Sequence, residues 1–358
     1  MSRYLTIDIG AGTMDILCWD SASGEHFKAV VMSPVRHIAR HIEQSRGPLA
    51  VTGAEMGGGP VTEALKQRAA ESEVLISPAA AATLHHDMER VKRFGMVCAN
   101  DRQLARAVSE GTHTPIILAD VQPARIEQIF NGLGVSMQLE AVALCAQDHG
   151  AAPKGVSHLD FRHNLFREML DASPVPTNLL FSGEAVPTAF NRLNSIARDA
   201  RWLNTREICV MDSGMAALAG AAQDAGARNK TPVVVLDIAT SHTVVAALQG
   251  DQVAGMVEYH TRDVSLNRIE SLIRELADGE IQHAQILAEG GHGAYLRETV
   301  GFVNIQAIIA TGPKRALMAQ SRLPVHWGAP WGDNMMTGTV GLLEAVRRKK
   351  GLAPFACI

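Results

Sequence analysis

No CxxC or CxxxCxxC pair occurs among the five cysteines, Cys18, Cys98, Cys145, Cys209 and Cys357. An iron–sulfur cluster or structural zinc site normally takes at least two thiolates from one turn, so these scattered thiols read as buried or incidental side chains. Cys357 stands beside Ile358, which does not fit a four-residue prenylation box. No uninterrupted apolar run approaches the roughly 18 to 20 residues that span a bilayer. The opening MSRYLTIDIG becomes strand-like too early for a signal peptide, and a cytoplasmic location is expected. Charge of one sign is missing too: 33 Lys and Arg against 37 Asp and Glu leave a net charge of -4. That balance builds no broad positive field, which argues against nucleic acid and membrane partners and favours small molecules. There is no low-complexity tract.

What is present is an ordinary globular composition, 47% hydrophobic and 20% charged over 358 residues, enough for a large core and two or three domains. Runs rich in Val, Ile and Leu alternate with segments of helical period, the pattern of an α/β fold. YLTIDI, MDILCW and FKAVVM read as three strands at meander spacing, followed by a helix near 35–44. PLAVTG and PIILAD read as strands, each with a helix after it. The stretch 150–190 is rich in loops and proline and reads as a seam. Beyond it EICVMD is a strand and MAALAGAAQDA a helix. A second meander follows in PVVVLDI, TVVAAL and QVAGMVEY. The tail reads as strand AIIAT, helix PKRALMAQ, short strand PVHWG and a closing helix with Lys and Arg in its last turn, where they suit the negative end of the dipole.

TIDIGAGTMDIL, residues 6–17, is the most informative stretch. Gly10 and Gly12 lack Cβ and let backbone amides approach an anion, Thr13 adds a hydroxyl donor, and Asp8 aims a carboxylate where a phosphate-bound metal would sit. The same residues also suit a plain hairpin turn with Asp8 solvated. A dinucleotide fingerprint is excluded because Asp15 stands where a third glycine should open a helix, and a Walker loop because no Gly-Lys pair occurs.

Strand, glycine turn, strand resembles the phosphate loop of the actin, Hsp70 and sugar kinase ATPase superfamily. The resemblance implies two ribonuclease H-like domains with a nucleotide cleft between them, and ATP and Mg²⁺ as cofactors. It implies a second loop, matched by VVVLDIATSHTVVAAL. There Asp237 takes the place of Asp8, and Thr240, Ser241 and Thr243 offer hydroxyls. Ala239 stands where glycine is usual, and His242 is a donor to phosphate or substrate, or a turn histidine. Asp8 and Asp237 would be the metal ligands. IIATGPKRALMA matches the superfamily's adenosine turn, with Gly312 and Pro313 in the turn and Lys314 and Arg315 beside the base. The last helix, with Gly338 and Gly341, is similar to the helix that returns to the domain junction. The implied division is domain I over 1–205, domain II over 206–335 and the returning helix over 336–358.

VMDSGMAALAGAAQDAG before LDIATSHTVV is similar to a motif of the FGGY carbohydrate kinases, whose aspartate is the catalytic base; carried over, that base is Asp212. An N-cap role for Asp212 suits the residues equally well. Asp120, ending IILAD, is a second candidate base or a cap. Over nearly its full length the chain is similar to a bacterial and archaeal family, DUF1786, labelled pyruvate formate-lyase activating enzyme, through MGGGP, DSGMAALAGA and GDNMMTGTVGLL. The label implies a radical SAM cluster on CxxxCxxC, a spacing this sequence lacks.

Gly57, Gly58 and Gly59 offer amides at a helix start or a flexible connection. His85 and Glu89 would share a face if LHHDMER is helical, with His86 and Asp87 beside them, as a metal site or a solvated helix start. Asp333 reads as a cap. The functional expectation is a Mg-dependent phosphotransferase acting on a small molecule. The alternatives are an ATPase that changes the conformation of an unidentified partner protein, and a binding module without chemistry.

Overall fold

The computed structural model describes residues 2–153 and 155–355. Cys357 lies outside them. The strands Arg3–Ile9, Thr13–Asp20 and His26–Met32 form an antiparallel meander. Ala141–Ala146 adds in parallel beside Arg3–Ile9, Ile208–Asp212 in parallel beside Ala141–Ala146, and Phe181–Ser182 closes the edge. All six residues of Ala141–Ala146 are buried, as a central strand covered on both faces requires. A second sheet repeats the order: meander Val233–Ile238, His242–Gln249 and Gln252–His260, then Ala307–Thr311 in parallel beside Val233–Ile238 and Val325–Trp327 in parallel beside Ala307–Thr311. Ala294–Leu296 lies at the far edge. The α/β class and the paired meanders expected from the sequence are therefore present, as two mixed six-stranded sheets.

A third, smaller sheet is inserted between the third and fourth strands of the first. It is all parallel, in the spatial order Val97–Cys98, Val74–Ile76, Leu49–Gly53, Thr114–Leu118. It has its own core, built from Val35, Ile38, Ile42, Leu49, Val61 and Leu65 among others. Its first helix, Pro34–Gln44, starts at Ser33, whose hydroxyl accepts from Arg36 N at 3.2 Å. The same residue donates its hydroxyl to Ala11 O and its amide to Gly12 O. The insertion is thereby fastened to the first hairpin turn.

Two helices lie between the large sheets, Ser213–Ala221 and Thr337–Lys350. Met215 to Ala221 are all buried, and so are Thr337 to Val346, since each helix is covered on every side. Their axes approach so closely that a Cβ on Gly220 would sit 1.8 Å from Thr337 O, and one on Gly341 1.8 Å from Ala216 O. One apolar cluster runs through the crossing, from Leu5, Ile7 and Ile16 of the first sheet by Leu218 and Val340 to Val235 and Val244 of the second. The closing helix ends on Gly351 in the left-handed region, and its Lys349 and Lys350 clasp Glu207 at 2.7 and 2.8 Å.

Several local expectations change. Ile208–Asp212, beyond the expected division at 205/206, hydrogen-bonds into the first sheet. The stretch read as a loop-rich seam contains the 15-residue helix His158–Ala172, capped by Ser157. PKRALMAQ forms only a 3₁₀ turn, Arg315–Met318. His85 and Glu89 do not share a helix, because Asp87 caps a helix beginning at Met88 and His85 stays in the preceding turn. There His85 Nδ1 accepts from Asp87 N, while His86 pairs with Glu55 at 3.0 Å. Asp333 caps the short turn Asn334–Met336 that leads into the closing helix.

Candidate functional site: a cleft between the two large sheets

The two hairpin turns are built alike. Gly10 N donates to Thr13 O and Ala239 N donates to His242 O, both at 3.0 Å, so His242 occupies the place of Thr13. The turns meet across a cleft: a Cβ on Gly12 would lie 3.2 Å from Thr240 Oγ1. The cleft is a cavity of about 550 Å³, large enough for a nucleotide-sized ligand. Asp8, Gly10, Gly12 and Thr13 line one side. Asp237, Thr240, Ser241 and His242 line the other, together with Gly312 and Pro313. Gly57 to Gly59, His85 and His86 of the insertion line it as well.

Three carboxylates converge at the base of the turns. Asp8 and Asp15 are direct cross-strand partners, an arrangement that like charges disfavour. Burial, with Asp15 feeling the charge of Asp8, pushes its carboxyl up to about 8. Burial and the same neighbour push Asp237 up to about 7, with a partial offset from the Thr311 hydroxyl. Burial also raises Asp8, to about 6. Asp15 Oδ1 is buried without a hydrogen-bond partner among the described residues. The closing helix begins against this group: a Cβ on Gly338 would fall 2.1 Å from Asp8 Oδ2, so only glycine admits the carboxylate there. In the second hairpin the place of Asp15 is taken by Val244, so the acidic side belongs to the first hairpin.

The remaining expected residues stand elsewhere. Asp212 is the N-cap of Ser213–Ala221, accepting from Gly214 N at 2.9 Å. Its other oxygen takes Arg162 Nη1 at 2.9 Å and the amide of Asp148 at 3.2 Å. Asp120 is gripped by Arg192 through two bonds of 2.7 and 3.0 Å, and also receives the Gly57 amide. Neither Asp120 nor Asp212 lines the cleft. Arg315 turns away from it, donating to Gly328 O beside the Trp327 ring. Gly312, at φ +87°, lies against Asp237, and its carbonyl accepts from Asn334 Nδ2.

A second group of side chains, beside the second turn, was not anticipated. His242 and His260 face each other across the strand pair, and His292 is drawn to them because its amide donates to Glu258 O at 2.8 Å. Ring centroids are 4.5 Å apart for 242–260 and 260–292, and 4.9 Å for 242–292. Burial lowers His242 and the neighbouring His149 to about 3, so both are neutral imidazoles. Glu258 beneath them stays charged: burial would raise it, but Arg162 and His292 hold it well below the usual carboxylate range. Arg162 in turn is kept charged by Asp212 and Glu258 against its own burial.

A family model described as "Putative pyruvate format-lyase activating enzyme (DUF1786)" matches residues 56–317, well over half of the chain. The chain belongs to the DUF1786 family. All three clustered histidines lie within that match. Comparison with curated proteins gives no match. Among solved structures, the chain aligns with the activator of the 2-hydroxyisocaproyl-CoA dehydratase from Clostridium difficile with bound ADPNP. Identity is 9% over 99% of this chain and 100% of that one, with a TM-score of 0.37. It also aligns with component A of the (R)-2-hydroxyglutaryl-CoA dehydratase of Acidaminococcus fermentans at 10% identity, 97% and 100% coverage and a TM-score of 0.34. A PilM-PilN type IV pilus biogenesis complex gives 12%, 98% and 99%, and 0.40. Likenesses this weak carry no weight for ligand or activity.

Proposed function

We propose that this DUF1786 protein is a Mg²⁺-dependent ATPase that uses hydrolysis to change the conformation of a partner protein. The observation that carries the reading is the convergence of Asp8, Asp15 and Asp237 beneath two hairpin turns that meet across one cleft. Buried acids pushed up by one another, one with an unpartnered oxygen, form a site short of positive charge, and a divalent cation fits it. Asp8 and Asp237 would hold Mg²⁺, which when bound would neutralise phosphate charge. The amides of the two turns, with the hydroxyls of Thr13, Thr240 and Ser241, would hold phosphate oxygens, and Gly312 and Pro313 would border the base. The paired helices crossing at Gly220 and Gly341 would serve as the axle on which the lobes close and exclude water.

Transfer to a small molecule is less well supported. A general base needs an oxygen aimed at the proton it abstracts. Both oxygens of Asp212 and of Asp120 are taken by arginine or by backbone amides, and neither faces the cleft. Calorimetric titration with ATP tests the reading: binding should need Mg²⁺ and be lost in Asp8→Asn and Asp237→Asn. Lack of nucleotide binding by the native protein overturns it. A phosphorylated metabolite formed in cell extract, abolished by Asp212→Asn, returns the assignment to a kinase.

A further inference from the structure

We infer that His242, His260 and His292 form a binding site for a divalent first-row transition metal ion, of which Zn²⁺ is the test case. The site uses none of the three carboxylates but opens on the same cleft, and its test needs no nucleotide. One ligand nitrogen from each ring can be chosen so that all lie within 4.8 Å of one another. Tetrahedral Zn–N bonds of about 2.0–2.1 Å set such nitrogens about 3.3 Å apart, so the rings need close by only about 1.5 Å. Two nitrogens there, His242 Nε2 and His292 Nδ1, are buried with no hydrogen-bond partner among the described residues. His292 is only 7% exposed, and an orphaned polar atom at that depth costs free energy that a metal bond recovers.

The surroundings suit an ion. Glu258 Oε1 lies 3.7 Å from His292 Nδ1, too far for a hydrogen bond but close enough to offset the ion's charge. Glu258 is itself anchored by Gln147 and Arg162, as carboxylates near bound metals commonly are. Three imidazoles without thiolate select zinc or a neighbouring late metal over Mg²⁺ or Ca²⁺, which prefer oxygen. His242 and His260 line the cleft, so an ion held there would be reachable from it. His149, its ring centroid 6.0 Å from that of His242 and 6.2 Å from that of His292, lines the cleft beside them.

The test uses the full chain stripped with a chelator, then titrated with Zn²⁺ by calorimetry and with Co²⁺ by visible absorption. One equivalent should bind without nucleotide, and Co²⁺ should give the d–d bands of a four- or five-coordinate nitrogen site. His260→Gln, at a half-buried position that tolerates the change, should weaken binding by roughly 100-fold, at least what loss of an outer-shell partner costs. His292→Gln should do the same, with circular dichroism showing that it folds. His26→Gln, on the distant outer strand of the first meander, should leave binding unchanged. No Zn²⁺ binding, or equal binding in the His260→Gln and His292→Gln variants, overturns the inference. So does binding of inorganic phosphate alone that these two substitutions abolish while Zn²⁺ does not bind.

Discussion

Replacing Gly341 by alanine isolates the contact on which the two lobes are mounted. In an exposed helix interior that exchange stabilises by about 0.5–1 kcal/mol, because glycine loses more backbone entropy on folding. Here the added Cβ would sit 1.8 Å from Ala216 O and 2.7 Å from Gly220 N. Ordinary carbon–oxygen contacts are about 3.3 Å, so the helices must part by roughly 1.5 Å. The obstructing atoms are backbone held in its own helix and cannot rotate aside. Overpacking of this kind costs about 1–3 kcal/mol, occasionally more, and outweighs the propensity gain. Gly341→Ala should therefore destabilise by about 2 kcal/mol in urea unfolding. Gly220→Ala meets the same partner helix and should cost a similar amount. Because the two glycines pack on each other, the double variant should cost less than twice a single one. Gly132, exposed in the last turn of the helix Pro123–Leu133 with open space around it, is the internal control, and Gly132→Ala should stabilise by up to about 0.5–1 kcal/mol. If Gly341→Ala matches the control in sign, the crossing is not tight and the axle has no physical basis.

Other substitutions test the site and its supports. Asp15→Asn removes one of two facing carboxylates; it should raise the thermal stability of the nucleotide-free protein at pH 8 while weakening Mg-ATP binding, and a loss of stability would refute the repulsion. Arg162→Met strands Asp212 and Glu258 as buried unpaired charges and should cost about 3–5 kcal/mol, read by denaturant unfolding. Glu207 is held down to about 2: burial would raise it, but hydrogen bonds from Lys349 and Lys350 prevail. A lowered carboxyl stabilises the folded state above its ordinary 4.5 and loses that contribution as pH falls toward 2. Glu207→Gln should thus cost roughly 1 kcal/mol at pH 7 after solvent screening, and the gap should vanish near pH 2. A gap that persists in acid would assign the effect to packing.

The meanders, the helices that follow them and the two hairpin turns were legible because each is written in local periodicity and turn chemistry. Asp15 was within reach: in a hairpin whose turn closes from Gly10 to Thr13, counting outward puts it opposite Asp8. The histidine cluster was not, since His292 reaches the strand end through its backbone bond to Glu258 and the pairing of Ala294–Leu296 with that strand, a tertiary event without a spacing signature. Arg162 and Arg192 were hidden for a related reason. Arg162 projects from a helix in a stretch whose prolines and glycines read as loop, and nothing local pairs it with Asp212. The same-looking ends of IILAD and ICVMD each offered a base or a cap; Asp212 caps Ser213–Ala221 and takes Arg162, while Asp120 takes Arg192.

Ser33 gives the first hairpin a mechanical load. With its hydroxyl on Ala11 O, its amide on Gly12 O and the first helix of the inserted layer starting from it, the turn cannot shift without dragging that layer along. A displacement of that turn would therefore be carried into the inserted layer through Ser33 and the helix it starts.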